Sequence, residues 1–363
     1  MLDLDYQFVP KGIVHTSHPS KTAVGTLTVC VKTLHFVTNW IEIIRFLEIW
    51  HVLGGVDTFQ VYWHSMSTAY RSVLRIYQRT DLIELIDWSY LPKIRALIAP
   101  ANESVYMANE HAACNDCLVR MRHVTEYITM LHEHDLLRSG FVSSDVSLIS
   151  HLEGISQRYG QVDFYQLRLM PASLTQIADQ QSHYDIVNLW DIDFNELATL
   201  KTQSSIKEPA RVLLFRAHKV DSVDFFNNWF PGSHPLHSYS ESVRNWLVLS
   251  LDADHPISLR VDRRSTKNRH PMTNINFNTN HLKSVNTTYH KRLVRARARH
   301  RQLRVHYPSL QYRKARQFEF KYRLTFCPSQ WMKGPTSTTA DWLYAKQSWT
   351  PVVIPTVGKY SAF

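Results

Sequence analysis

From Gly25 onward the chain alternates between β-branched runs and apolar stripes spaced at three and four, as strands taking turns with helices would require. Residues 26–31, TLTVCV, suit a buried strand. Asn39 is placed to cap a helix in which Ile43, Ile44, Leu47, Ile49 and Leu53 crowd one side, and Gly54-Gly55 closes it. A second strand follows over residues 59–63. The unit then repeats. A helix starts at Ser67 or Thr68 and carries Val73, Leu74, Ile76 and Tyr77, a third strand covers 82–88, a helix runs from about 104 to 125, and a fourth strand covers 127–131. Residues 162–169, 211–218 and 255–260 also have strand character. This alternation predicts an α/β fold: right-handed crossovers, a mainly parallel sheet and helices on both faces. Ligands of such sheets bind beyond the C-terminal strand ends. Those ends fall at Lys32-Thr33, at Trp63-His64-Ser65 and at His132-Glu133-His134-Asp135, three polar clusters expected to converge in one crevice.

Composition narrows the chemistry. With 44% hydrophobic and 12% aromatic residues over 363 positions, the chain can bury a sizeable core, which excludes a disordered or collagenous protein. Glycine supplies only 10 residues, and neither G-x-G-x-x-G nor G-K-[ST] occurs, so any bound nucleotide needs something other than a glycine loop against its phosphates. Four cysteines, Cys30, Cys114, Cys117 and Cys327, are too scattered for a disulfide framework or a four-cysteine zinc site. Cys114 and Cys117 form a C-x-x-C that reads as helix interior, without the preceding strand of a redox motif.

The formal charge of +10 is concentrated. Residues 260–323 hold 18 Lys and Arg against Asp262 and Glu319, and the rest of the chain is slightly acidic. Such a run is first a solvated helix face. Nucleic acid is not expected as a partner, because no recognition motif accompanies the charge. The first 25 residues are polar and read as a stem or lead-in, and no signal peptide or membrane-length apolar run is visible. Sequons stand at Asn102 and Asn286.

The most informative cluster is His132-x-His134-Asp135 at a strand end. Residues i and i+2 of an extended chain point the same way, so both imidazoles could face one divalent ion with Asp135 adding an oxygen. Such an ion would neutralise a diphosphate leaving group.

Several ordered blocks, Val29-Cys30-Val31-Lys32-Thr33-Leu34, Phe46-Leu47-Glu48-Ile49-Trp50, Phe59 to Ser65, Asp81 to Trp88, Ala113 to Met121 and Pro209 to Leu214 with His218, resemble glycosyltransferase family 92, in a divergent, nematode-type form. The resemblance spans about residues 26–265, with 266–363 left as a basic C-terminal extension packed on or continuing the same domain. It implies a GT-A-like domain, a divalent metal, usually manganese, held by a D-x-D motif, and transfer of a hexose, galactose first, from a UDP-sugar to a glycan or glycoprotein acceptor. It also implies a Golgi or secretory-pathway membrane setting.

The family's D-x-D-E falls on His132-Glu133-His134-Asp135, so histidine replaces both metal-binding acids. Imidazole suits softer ions than manganese, and its neutrality removes two negative charges from beside a diphosphate. The alternative reading is therefore a degenerate member that binds nucleotide sugar or glycan without transfer. By the resemblance, His132, His134, Asp135 and His218 are the metal set, while His64, Ser65, Asn115, Arg120 and Arg263 bind the donor. Arg263, in Val261-Asp262-Arg263, keeps only the arginine of the family's H-Y-R. Cys327 keeps the first cysteine of a C-terminal cluster and would be left unpaired. An inverting transfer needs a carboxylate base. Glu133, Asp135, Asp185 and Asp191 are available, and Asp135 is named on position.

Overall fold

A computed structural model describes residues 6–10, 23–88, 110–139, 146–153, 161–168, 186–199, 210–223, 229–231, 246–250, 277–299, 304–306, 342–345 and 349–353. In chain order the elements are β1 (Tyr6–Pro10), β2 (Ala23–Leu34), α1 (Trp40–Ile49), β3 (Thr58–Trp63), β4 (Ser65–Ser67), α2 (Thr68–Arg79), β5 (Ile83–Asp87), α3 (Glu110–Met121), β6 (Thr125–Leu131), β7 (Asp135–Ser139), α4 (Leu148–Glu153) and β8 (Gln161–Arg168). After these come β9 (Ile186–Asn188), β10 (Ala210–Arg216), β11 (Val220–Val223), β12 (Trp229–Pro231), β13 (Trp246–Ser250), α5 (Thr279–Arg299), β14 (Arg304–His306), β15 (Trp342–Tyr344) and β16 (Trp349–Val353).

Eight strands form one sheet in the order β5-β3-β2-β6-β10-β8-β13-β7. The pairs β5-β3, β3-β2, β2-β6 and β8-β13 are parallel, and those flanking β10 and β7 are antiparallel. The mainly parallel sheet is therefore present, but only its first four strands are uniformly so. Strands β4 and β15, β1 and β16, β9 and β14, and β11 and β12 form separate ribbons.

The period-two rule explains the two-sided core. Leu27, Val29 and Val31 of β2 pack with α1 and α2, while Cys30 between them packs with Ala113, Cys117 and Leu118 of α3 on the other face. Helices thus cover both faces, as expected. On the second face a disulfide joins Cys30 to Cys117, with Cα atoms 6.2 Å apart. This corrects the sequence expectation for the cysteines: four are too few for a framework, but two neighbours across a strand and a helix suffice for one bridge. Cys114, the other member of the C-x-x-C, is buried and takes no part in it.

The helix starting after Asn39 runs to Ile49 and continues as a π-helical turn, Trp50–Gly54. Gly55 ends it at φ 69°, and a Cβ there would stand 2.5 Å from Ile149 Cγ2. Ser67 Oγ caps α2 by accepting from the Tyr70 N–H at 3.2 Å.

Beyond residue 265, α5 places Leu282, Val285, Tyr289, Leu293 and Ala296 in the first core. Its Lys283, Lys291, Arg295 and Arg297 are exposed, so the basic run is a solvated face at these positions. Arg292 instead turns inward, its Nε donating to the fully buried Glu48 at 2.7 Å. The Asn286 side chain is also engaged, accepting from the Phe194 N–H and donating to Asp193 Oδ1. Asn102, the strand expected at 255–260, Asp185, Arg263 and Cys327 lie outside the described residues.

Candidate functional site

Strand register decides what meets at the carboxyl edge of the sheet. Val31 of β2 faces Leu131 of β6 as the last in-register pair, so the next residues, Lys32 and His132, stand side by side. Lys32 Nζ lies 3.2 Å from His132 Nε2. An ammonium has no lone pair, so Nε2 accepts and the ring proton sits on Nδ1. Both side chains are partly exposed. His134 lies against His132, ring centroids 5.1 Å apart and planes 9° off parallel, and its Nδ1 is buried without a hydrogen-bond partner among the described residues.

A tight turn follows β6. The Asp135 N–H donates to the His132 carbonyl at 3.0 Å, and Asp135 Oδ2 accepts from the His132 N–H at 2.9 Å. Trp50 Nε1 donates to the Asp135 carbonyl at 2.7 Å. The turn is short for what it joins, because β10, β8 and β13 lie between β6 and β7 in the sheet. Four extended residues reach roughly 14 Å, whereas four flat strand spacings need about 19 Å. The sheet must therefore curl, and β7 packs on α1 and its π turn. Asp135, at 2% exposure, holds this turn. That is the use the structure gives its carboxylate, in place of the base assigned on position. Glu133 is buried as well, and the exposed Asp191 faces Asn188 within its own short helix.

The same register rule builds a second pair. Leu34 faces Trp63, with one extra residue of β2 bulged out after Val31, and the following His35 and His64 stack with centroids 5.0 Å apart. This pair is closed. His64 Nδ1 is 3.0 Å from Ser65 Oγ, which also accepts from the Phe36 N–H at 2.9 Å and so supports Phe36 at φ 50°, a left-handed conformation costly for a bulky residue. Strand β15 covers it: the Ala345 N–H donates to the His64 carbonyl at 2.8 Å, and Tyr344 and Phe36 meet the His64 ring edge-on. Burial drives the His64 pKa down to about 4, and burial followed by the neighbouring His64 holds His35 well below the ordinary histidine range. His64 and Ser65 thus stand at the strand end as expected, but shut away from a ligand.

Arg120 is engaged by Asp116 one turn back on α3, and Tyr62 donates to the same carboxylate at 2.6 Å. Asn115 is on the same helix, partly exposed.

Residues 25–141 match the family model described as Glycosyltransferase family 92. This segment is similar to glycosyltransferase family 92. It runs from β2 through β7 and holds both strand-end pairs, while the resemblance traced to about residue 265 is matched over its first part. The α/β architecture anticipated for the family, a mainly parallel sheet with helices on both faces, is the one observed. No curated protein sequence matches the chain. Among solved structures, 4-diphosphocytidyl-2C-methyl-D-erythritol synthase from Anaerococcus prevotii is 8% identical with a TM-score of 0.27, covering 73% of this chain and 97% of that one. The galactosyltransferase LgtC, solved with donor and acceptor sugar analogues, is 11% identical with a TM-score of 0.25, covering 53% of this chain and 58% of its own. Neither likeness is strong enough to carry an argument.

The family 92 segment tests the expected metal set. His218 does not belong to it. Strand β10 runs antiparallel to β6, with Arg216 opposite Tyr127, so His218 lies at the other edge of the sheet, on the order of 20 Å from His132. A parallel β10 would have ended beside His132; its reversed direction puts that end across the sheet. The Nε2 lone pair of His132 faces Lys32, and Asp135 Oδ2 takes a backbone N–H. Among the described residues no three His, Cys, Asp or Glu side chains are gathered to hold an ion. As arranged, these residues do not fit manganese. What sequence reading missed at the site is Lys32 as a member rather than a strand-end marker, along with His35 and Tyr344. Only for Lys32 was there a signal, its place one residue past the buried run of β2.

Proposed function

We propose that the protein is a glycosyltransferase that moves a hexose, galactose first, from a UDP-sugar to a glycan acceptor, with the donor at the carboxyl edge of β2 and β6. The observation that carries this reading is the family 92 segment coinciding with the uniformly parallel half of the sheet, whose strand ends present Lys32, His132 and His134 together. The Cys30–Cys117 bridge supports a secretory, oxidising compartment, where such bonds form and persist. No helix among the described residues is long and apolar enough to cross a membrane, so membrane association rests on the family alone.

A second reading is favoured by one observation: both family acids are histidine here, and Asp135 Oδ2 accepts from the His132 N–H in its turn. In that reading the protein binds nucleotide sugar or glycan without transferring it. Release of UDP from UDP-galactose in the presence of glycan acceptors, measured with several divalent ions and with chelator, separates the two. Turnover under any condition supports the transferase. Its absence under all of them, with UDP still bound, supports the binder.

A further inference from the structure

We propose that Lys32 stands where a divalent metal would, as the counter-cation for the diphosphate of the bound nucleotide sugar, with His132 and His134 positioning its ammonium rather than ligating an ion. The proposal rests on the donor site proposed above and deepens it. Its basis is the contact between Lys32 Nζ and His132 Nε2 at 3.2 Å. A ring nitrogen that accepts from an ammonium has no lone pair left for a metal, so the two uses of His132 exclude each other.

The arrangement is dictated by register rather than by chance side-chain reach. Lys32 and His132 follow the last in-register residues of two parallel strands, which places their side chains on the same face. His134, stacked nearly parallel on His132, restrains the ring that aims at the ammonium. Charge agrees with the assignment. Histidine stands at the two positions where the family carries acids, and the buried Asp135 carboxylate accepts from the His132 backbone N–H. A fixed cation beside two imidazoles repels a metal ion and attracts a diphosphate, whereas a cation beside two carboxylates would be neutralised by them. Lys32 and His132 are both partly exposed at the sheet edge, so an anion can reach the charge. Lysine serves phosphate as a point charge, which also suits a chain without a glycine cradle.

Calorimetric titration with UDP and, separately, with inorganic pyrophosphate tests this on the intact protein, in chelator and with added manganese or zinc. The expected result is binding of both probes in chelator, little changed by either metal. Lys32→Met should weaken both by roughly tenfold or more, while Lys32→Arg, which keeps the charge, should stay within about threefold. Thermal melts of both variants establish that they fold. Binding that needs metal and vanishes in chelator overturns the proposal and leaves the donor-site reading standing. So does Lys32→Met binding as the natural protein does. Pyrophosphate binding through Lys32 without UDP binding keeps the cation assignment and overturns the nucleotide-sugar reading. If neither probe binds with or without metal, both fail.

Discussion

Lys32 with His132 and His35 with His64 are built by one rule and end in opposite states. Each pair consists of the residues that follow the last in-register partners on neighbouring parallel strands. The first is partly exposed and carries an ammonium. In the second, His64 is buried beneath β15 and the rings of Phe36 and Tyr344, His35 is partly exposed but has both ring nitrogens buried, and burial holds both imidazoles below the ordinary histidine range. Register therefore decides which side chains meet, and the element laid over them decides what they can do. A ribbon strand from more than 270 residues downstream covers one half of the strand ends and leaves the other half partly exposed.

The largest expected effect removes the scaffold of the open pair. Cys30 lies two residues before Lys32 on the same face, and Cys30→Ser, which cuts the bridge to α3, should cost about 2–5 kcal/mol. Thermal melts with and without reductant check it: reductant should destabilise the natural protein and leave the variant unchanged. The next acts on the closed pair. His64 has a folded pKa of about 4 against roughly 6.5 unfolded. The unfolded chain thus takes up a proton first as pH falls, so this stabilisation is complete above pH 6.5 and is lost on descent towards 4. It amounts to about 3 kcal/mol. Denaturant melts from pH 7 to 4 should show the loss, and His64→Gln should flatten that part of the profile; an unchanged slope would mean that the pair is open in solution.

A smaller loss is expected from Ser65→Ala, which leaves the Phe36 N–H without its acceptor and should cost about 1–3 kcal/mol. Chemical denaturation reads it, and raised exchange of the Phe36 amide locates it. Smallest of all, Lys32→Met should change stability by less than about 1 kcal/mol, since a partly exposed contact contributes little. A larger loss would make Lys32 a structural residue and erase the contrast between the pairs.

Much of the first half was legible in the sequence because its rules are local. The β-branched run around Val29, the stripe of Ile43, Ile44 and Leu47, the Ser67 cap and Gly55 each act within a few residues, and the elements fall where those signals place them. The carboxyl edge itself could be named, since Lys32, His64 and His132 all follow strands. Partners separated by long stretches were not legible. Nothing near Glu48 announces Arg292, nothing near Cys30 announces Cys117, and the apolar residues of α5 were obscured by its charge.

By itself the sequence determined the alternation of strands and helices, the parallel half of the sheet and the polar character of its strand ends. Tertiary structure alone decided which of those ends stay open. A strand's direction and register are fixed by pairing with distant chain, and reversing β10 moved His218 to the far edge while a one-residue bulge in β2 aligned His35 with His64. The ammonium that His132 meets is brought by the same pairing, from a strand 100 residues earlier.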